Sequence, residues 1–137
     1  MTGVQTCALP IYRYPARMTQ QLIVKVTCGV EEPERLSQGI TVAATAAASG
    51  IQVSLWLTGD AVWLGVPGRI PDLGLEHATP LTSLMEQLLE SAQITVCTQC
   101  AHRRGIGPDD VELGVRISGA ATFISEVMSD NAKALVY

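Results

Sequence analysis

Between residue 21 and the end of the chain, short apolar runs alternate with segments whose apolar positions recur every three or four residues. Residues 21–28, QLIVKVTC, are apolar and β-branched with a single charge. That is the pattern of a strand buried on both faces in a parallel sheet. Pro33 suits a first helical position, and Leu36, Ile40, Ala43, Ala44 and Ala47 follow at helical spacing until Gly50, a natural C-cap. A second strand is predicted over 51–58, IQVSLWLT, ending at Gly59-Asp60. The apolar turn AVWLGV leads into the loop PGRIPDLGLEHATP, where proline and glycine oppose regular structure. Thr79 is placed to cap a helix with Pro80 at its first position and Leu81, Leu84, Met85, Leu88 and Leu89 as its inward stripe. Residues 92–97 predict a third strand, and 98–105, TQCAHRRG, a short helix stopped by Gly105. Residues 111–117 read as a strand or an extended arm. Ser118 is placed to cap a helix carrying Ala121, Ile124, Val127 and Met128, and 132–137 close the pattern as a last strand.

Strands alternating with helices predict an α/β fold, a three-layer sandwich around a mostly parallel sheet of about five strands, because right-handed crossovers set helices on both faces. Composition agrees: 47% of the 137 residues are hydrophobic and only 16% charged, which favours a packed domain over a disordered chain. Aromatics amount to 4%, so the core has to be aliphatic. A net charge of −4 and an isoelectric point near 5.0 argue against a nucleic-acid partner, which requires a basic face. No apolar run reaches the ~18 residues of a membrane span.

The first 17 residues stand apart. MTGVQTCALPI lacks the cationic and apolar regions of a secretory signal and resembles a translated sequencing-library adapter. Met18 is then the expected natural start, with 1–17 a non-native or disordered leader and 18–137 a single domain. Cys28, Cys97 and Cys100 remain. An odd number of cysteines without an export signal points to the reducing cytoplasm rather than to a disulfide framework.

Ligands of open α/β sheets bind beyond the carboxyl ends of the strands. Cys28 and Cys97 each end a predicted strand and should share that edge. Cys97 directly precedes a short helix, where unpaired N–H groups favour a thiolate, and His102, Arg103 and Arg104 add positive charge nearby. The bland reading of Cys97 is a buried small hydrophobe. His77 either lines the site or is a solvated loop histidine, Asp60 is expected to cap its turn, and Trp56 and Trp63 to serve packing or subunit contacts. No glycine-rich nucleotide motif and no GxSxG nucleophile turn is present, so no cofactor is expected.

The strand-end cysteine followed by AHRRGI resembles the DsrE-like (YchN-like) sulfur-relay family, whose pattern sets a cysteine seven residues before the arginine of an Arg-Gly pair with a hydrophobic residue after the glycine. Cys97, Arg104, Gly105 and Ile106 match, and the likeness runs from about Leu22 to Tyr137. The resemblance implies that Cys97 occupies the position of a persulfide-carrying cysteine and that the chain assembles as a homotrimer or hexamer. It also implies a sulfurtransferase-like role, although some members carry the label peroxiredoxin-like. Sulfur donor and acceptor proteins are not specified by it. Cys100 and Cys28 depart from single-cysteine carriers and leave two rivals: a dithiol redox site, and a metal site built from Cys28, Cys97, Cys100 and His77 or His102. The expectation is therefore a cytoplasmic domain that carries persulfide or exchanges disulfide at Cys97. The alternative is a non-catalytic oligomeric binding module with structural or metal-binding cysteines. An independent argument for self-association comes from 61–75, where Trp63, Leu64, Val66, Ile70, Leu73 and Leu75 are expected to be too interrupted by proline and glycine to be buried together.

Overall fold

The structure is a computed structural model that describes residues 19–137. The expected leader, residues 1–17, lies outside the described residues, as does Met18. Strand β1 (Gln21–Val26) is followed by helix α1 (Pro33–Ala48), strand β2 (Gln52–Leu57) and a 3-10 helix (Gly59–Gly65). Helix α2 (Leu81–Ser91), strand β3 (Gln93–Cys97), helix α3 (Thr98–Arg103) and a short 3-10 turn (Pro108–Asp110) come next. Strand β4 (Arg116–Ser118), helix α4 (Ala120–Val127) and strand β5 (Ala132–Val136) complete the order. The five strands form one sheet in the order β4-β3-β2-β1-β5, and every pairing is parallel.

Alternation along the strands divides the side chains between two faces. Val24, Val26, Val53, Leu55, Leu57, Ile94 and Val96 point into the main core, where they meet Leu36 and Ile40 of α1 and Leu84, Met85 and Leu88 of α2. Each such side chain, fully withdrawn from water, contributes about 1.5–3 kcal/mol of transfer free energy. The opposite face carries Ile23, Lys25, Ser54, Trp56, Thr95 and Arg116 and is covered by α4 through Phe123 and Glu126. The result is the predicted three-layer arrangement, with a fully parallel sheet.

Several local expectations shift. Helix α2 begins at Leu81 with Pro80, not Thr79, at its cap, and no side chain closes that end. Gly119 rather than Ser118 caps α4, and the Ser118 hydroxyl bonds that of Thr122 instead. Of the 111–117 segment only Arg116 and Ile117 pair as strand, continued by Ser118. The 61–75 segment also settles differently: the 3-10 helix buries Val62 and Leu64, while Trp63, Val66, Ile70 and Leu73 pack against the core. A tight 3-10 turn can bury alternate apolar residues where proline and glycine prevent a longer helix. The exposed apolar side chains instead include Ile124 and Met128 on α4 and Leu135 and Val136 on β5. Among the described residues no helix is long and apolar enough to cross a membrane.

Candidate functional site

Because the sheet is wholly parallel, the carboxyl ends of β1, β2 and β3 lie along one edge, and the thiols gather there. Cys28 follows β1 by two residues, Cys97 is the last residue of β3, and Cys100 lies one turn into α3. Cys28 is buried, its sulfur 4.0 Å from the Glu32 carbonyl oxygen. Burial pushes its thiol above the ordinary value of 9.0, with Glu31 and Glu32 adding to the rise and Arg35 opposing it. Cys97 and Cys100 are half-buried and both reduced.

The chain after Cys97 turns at once into α3, leaving the Cys97 backbone extended at φ −65°, ψ 127°. Partial burial works against ionisation of Cys97. The Cys100 backbone N–H, the Cys100 thiol, the Gln99 N–H and the charge of Lys25 more than offset it, in that order, and hold Cys97 below 9.0. The two cysteines of the CxxC thus stand three residues apart at the junction of β3 and α3. Cys100 is itself held from behind, because the Gly59 N–H donates to its sulfur at 3.2 Å. Gly59 has φ +57°, and a Cβ there would come within 2.7 Å of the Thr27 carbonyl oxygen, so glycine is required for this approach.

The α3 turn is locked to the 3-10 helix by Arg104. Its Nε and Nη2 donate to one oxygen of Asp60 at 2.8 and 2.6 Å, and its Nη1 donates to the Cys100 carbonyl at 3.0 Å. Asp60 thus anchors an arginine and does not cap its turn; the residue before that 3-10 helix is Thr58. Gly105, at φ +68°, ends α3 in the left-handed conformation read from the sequence. His102 and Arg103 are exposed on the outer side of α3, and the cation acting on Cys97 comes from β1.

His77 is not brought to the thiols. It sits in the exposed loop before α2 at φ +63° and borders a cavity of about 510 Å³ with Glu34, Gln38 and Thr41 of α1. No cysteine lines this cavity, an adjoining one of about 350 Å³, or a third of about 250 Å³ bordered by Gly29 and Asp60. Among the described residues no three His, Cys, Asp or Glu side chains gather as a metal-ligand set, and the combination of Cys28, Cys97, Cys100 and a histidine is not assembled.

Two neighbours of the site escaped the sequence reading. Lys25 is the lone charge in the β1 run, a signal that was visible there. Glu126 looked like a surface residue of α4, yet its carboxylate accepts from the Ser54 hydroxyl at 2.7 Å, from Trp56 Nε1 at 2.9 Å and from Arg116.

The profile of the DsrE/DsrF-like family matches residues 20–136, nearly the whole described chain. The chain belongs to the DsrE/DsrF-like family. A relative from Methanopyrus kandleri, the uncharacterized protein MK0008, is 31% identical over 100 residues, covering 72% of this chain and 79% of the relative. Among solved structures, the ychN protein from E. coli superimposes with a TM-score of 0.70 at 22% identity, over 88% of this chain and 100% of that one. The protein of unknown function MTH1491 from Methanobacterium thermoautotrophicum gives a TM-score of 0.62 at 12% identity, over 86% of this chain and 99% of that one. These two likenesses establish a YchN-like fold for this DsrE-like chain, with five parallel strands.

Proposed function

We propose that this DsrE-like protein relays sulfane sulfur through Cys97, with Cys100 as a second thiol that can resolve the loaded state. The observation that carries this reading is the environment of Cys97. Its thiol is held below the ordinary range by two backbone N–H groups, the Cys100 thiol and Lys25. The thiolate is the nucleophilic form, and a depressed value makes it available near neutral pH. In the loading step the Cys97 thiolate attacks the outer sulfur of a donor persulfide, R–S–SH. The new bond joins Cys97 Sγ to that sulfur, the donor S–S bond breaks, and R–S⁻ leaves with the electron pair and takes the proton as R–SH. The N–H groups that favour the thiolate equally suit the anionic Cys97–S–S⁻.

Unloading has two routes. An acceptor thiolate can take the outer sulfur and return Cys97 as a thiolate. Alternatively, the Cys100 thiolate attacks Cys97 Sγ, forming the Cys97–Cys100 disulfide and expelling the outer sulfur as HS⁻. The two cysteines are then oxidised and the sulfane sulfur reduced, and a dithiol reductant restores the pair. The CxxC spacing, with Cys97 ending β3 and Cys100 in the first turn of α3, supports this second route as a competitor to simple carriage. Self-association of the chain belongs to the same reading and is supported by the exposed apolar residues of α4 and β5.

Intact mass spectrometry after incubation with a persulfide donor tests the proposal. Wild type should gain one sulfur, about +32 Da, that reducing agent removes, while Cys97→Ser should not. Cys100→Ser should keep the adduct longer than wild type. No adduct on wild type, or an unchanged adduct on Cys97→Ser, refutes the reading.

A further inference from the structure

Lys25 occupies an unusual place. It lies on the face of β1 turned toward α4, and its register partner is Trp56 of β2, which pairs with Thr95 of β3. Thr95 and Cys97 share one face of β3, the face that α4 covers, so Lys25 and Cys97 project from the same side of the sheet. They are two strands and two residues apart, a Cα separation of roughly 12 Å from ideal sheet spacings. The flexible four-carbon stem lets the ammonium lean along the sheet toward Cys97.

Lys25 is only partly exposed, and its ammonium lies 4.6 Å from the Phe123 ring centroid. Among the described residues no carboxylate is within ion-pair distance of it: the two ion pairs are Arg104 with Asp60 and Arg116 with Glu126. Residues 1–18 contain no aspartate or glutamate that might serve. A partly buried cation is ordinarily paired, and an aromatic face does not neutralise it. The other charged groups around Cys97 are committed or turned away. Glu126 of α4 is held by Arg116 of β4, Asp60 of the 3-10 helix by Arg104, and His102 and Arg103 of α3 face solvent. Cys28 is buried beyond β1, and the Cys100 sulfur accepts from the Gly59 N–H.

We propose that Lys25 is the counter-ion of Cys97, pairing with its thiolate in the resting protein and with the persulfide anion once sulfur is loaded. The inference rests on the reading of Cys97 as the reactive thiol. It explains why a lysine is tolerated in the middle of a buried parallel strand: the strand supplies the charge that the α3 turn, with its arginines turned elsewhere, does not. It also specifies the form in which the site holds loaded sulfur, the persulfide anion Cys97–S–S⁻.

The test is the pH dependence of Cys97 alkylation by iodoacetamide, followed by peptide mapping in wild type, Lys25→Met and Lys25→Arg. Lys25→Met should raise the pH midpoint by about half a unit or more, with a roughly three-fold slower reaction on the acid side. Lys25→Arg should restore most of the wild-type profile, which a purely packing role for the side chain would not predict. Should Lys25→Met not fold, Lys25→Gln keeps a polar end at the same depth and gives the same readout. A midpoint unchanged by loss of the charge overturns the proposal. Failure of wild type to accept sulfur from a persulfide donor would instead overturn the sulfur-relay reading while leaving the alkylation profile intact, so the two failures are distinguishable.

Discussion

Removing the Glu126 carboxylate should loosen the whole α4 layer. Its partners Ser54 and Trp56 are 1% and 2% exposed, so neither can recover a hydrogen bond from water without α4 lifting away. Each donor left unsatisfied costs about 1–3 kcal/mol, whereas the Arg116 pair, with the arginine side chain 37% exposed, adds about 0–1 kcal/mol. Because α4 itself buries no residue completely, water can reach part of the gap, and the lower half of the range applies. Glu126→Ala should cost about 3 kcal/mol. Glu126→Gln should cost about 1–2 kcal/mol, since a carboxamide oxygen can still accept from both Ser54 and Trp56 while its NH₂ faces the Arg116 guanidinium. Partial burial raises the carboxyl pKa, but the hydrogen bonds from Trp56, Ser54 and Arg116 and the Arg116 charge outweigh it and hold the group below 4.5. A depressed folded-state value means that the charge contributes fully above the unfolded value and is lost as pH falls through the folded one. The gap between wild type and Glu126→Gln should therefore be constant near neutrality and close below about pH 4.5. Urea unfolding at fixed protein concentration measures all of this. A Glu126→Ala protein within about 0.5 kcal/mol of wild type, the range of an ordinary surface substitution, would refute the burial argument.

Brief iodoacetamide treatment at pH 7 should label Cys97 first and Cys28 last, because burial and the nearby glutamates disfavour the Cys28 thiolate; peptide mapping reads the order, and early labelling of Cys28 would reverse the assignment. Gly59→Ala should lose about 1–3 kcal/mol in urea unfolding, from a positive φ and a clash with the Thr27 carbonyl, and should also alter Cys100 labelling by displacing the N–H on its sulfur. Asp60→Asn should change stability by less than about 1 kcal/mol, since the Asp60 side chain is 46% exposed, yet speed Cys100 labelling by freeing the Arg104 clamp; unchanged labelling counts against a positioning role for the pair. Light scattering should find an assembly larger than one chain, and Ile124→Asp with Met128→Asp should dissociate it while the far-ultraviolet circular dichroism spectrum is kept.

The order of elements was legible because each one carries its own period. QLIVKVTC, the leucine stripe of α2 and the small-residue face of α1 all appear where the pattern put them. Helix starts were less legible, since Thr79 and Ser118 have capping side chains that the chain does not use as caps. The chosen starts, Pro80 and Gly119, depend on how the chain leaves the preceding loop and strand, which no local preference encodes. Cys97 and Cys100 were visible as a motif, and the edge that Cys97 shares with Cys28 followed from parallel topology. Lys25, Asp60 and Glu126 were not read as part of the site because their partners lie far away in sequence. Asp60 meets Arg104 across 44 positions and Glu126 meets Trp56 across 70. Such pairings exist only once the sheet register is known.

The place of β5 beside β1 bears on how the protein comes to be made. Four strands pair with a neighbour already synthesised, but the outer edge of β1 waits for residues 132–136, more than a hundred positions downstream. On a ribosome, the row from Lys25 to Thr95 and the thiol pair of β3 and α3 can assemble while that edge is still open. β5 cannot dock before residues 132–136 have been made, and an unpaired apolar strand is the species most exposed to wrong partners. The nascent chain would thus carry a reactive thiol before its sheet is sealed, and premature oxidation or intermolecular strand pairing, rather than core collapse, becomes the step at which its biogenesis is most easily lost.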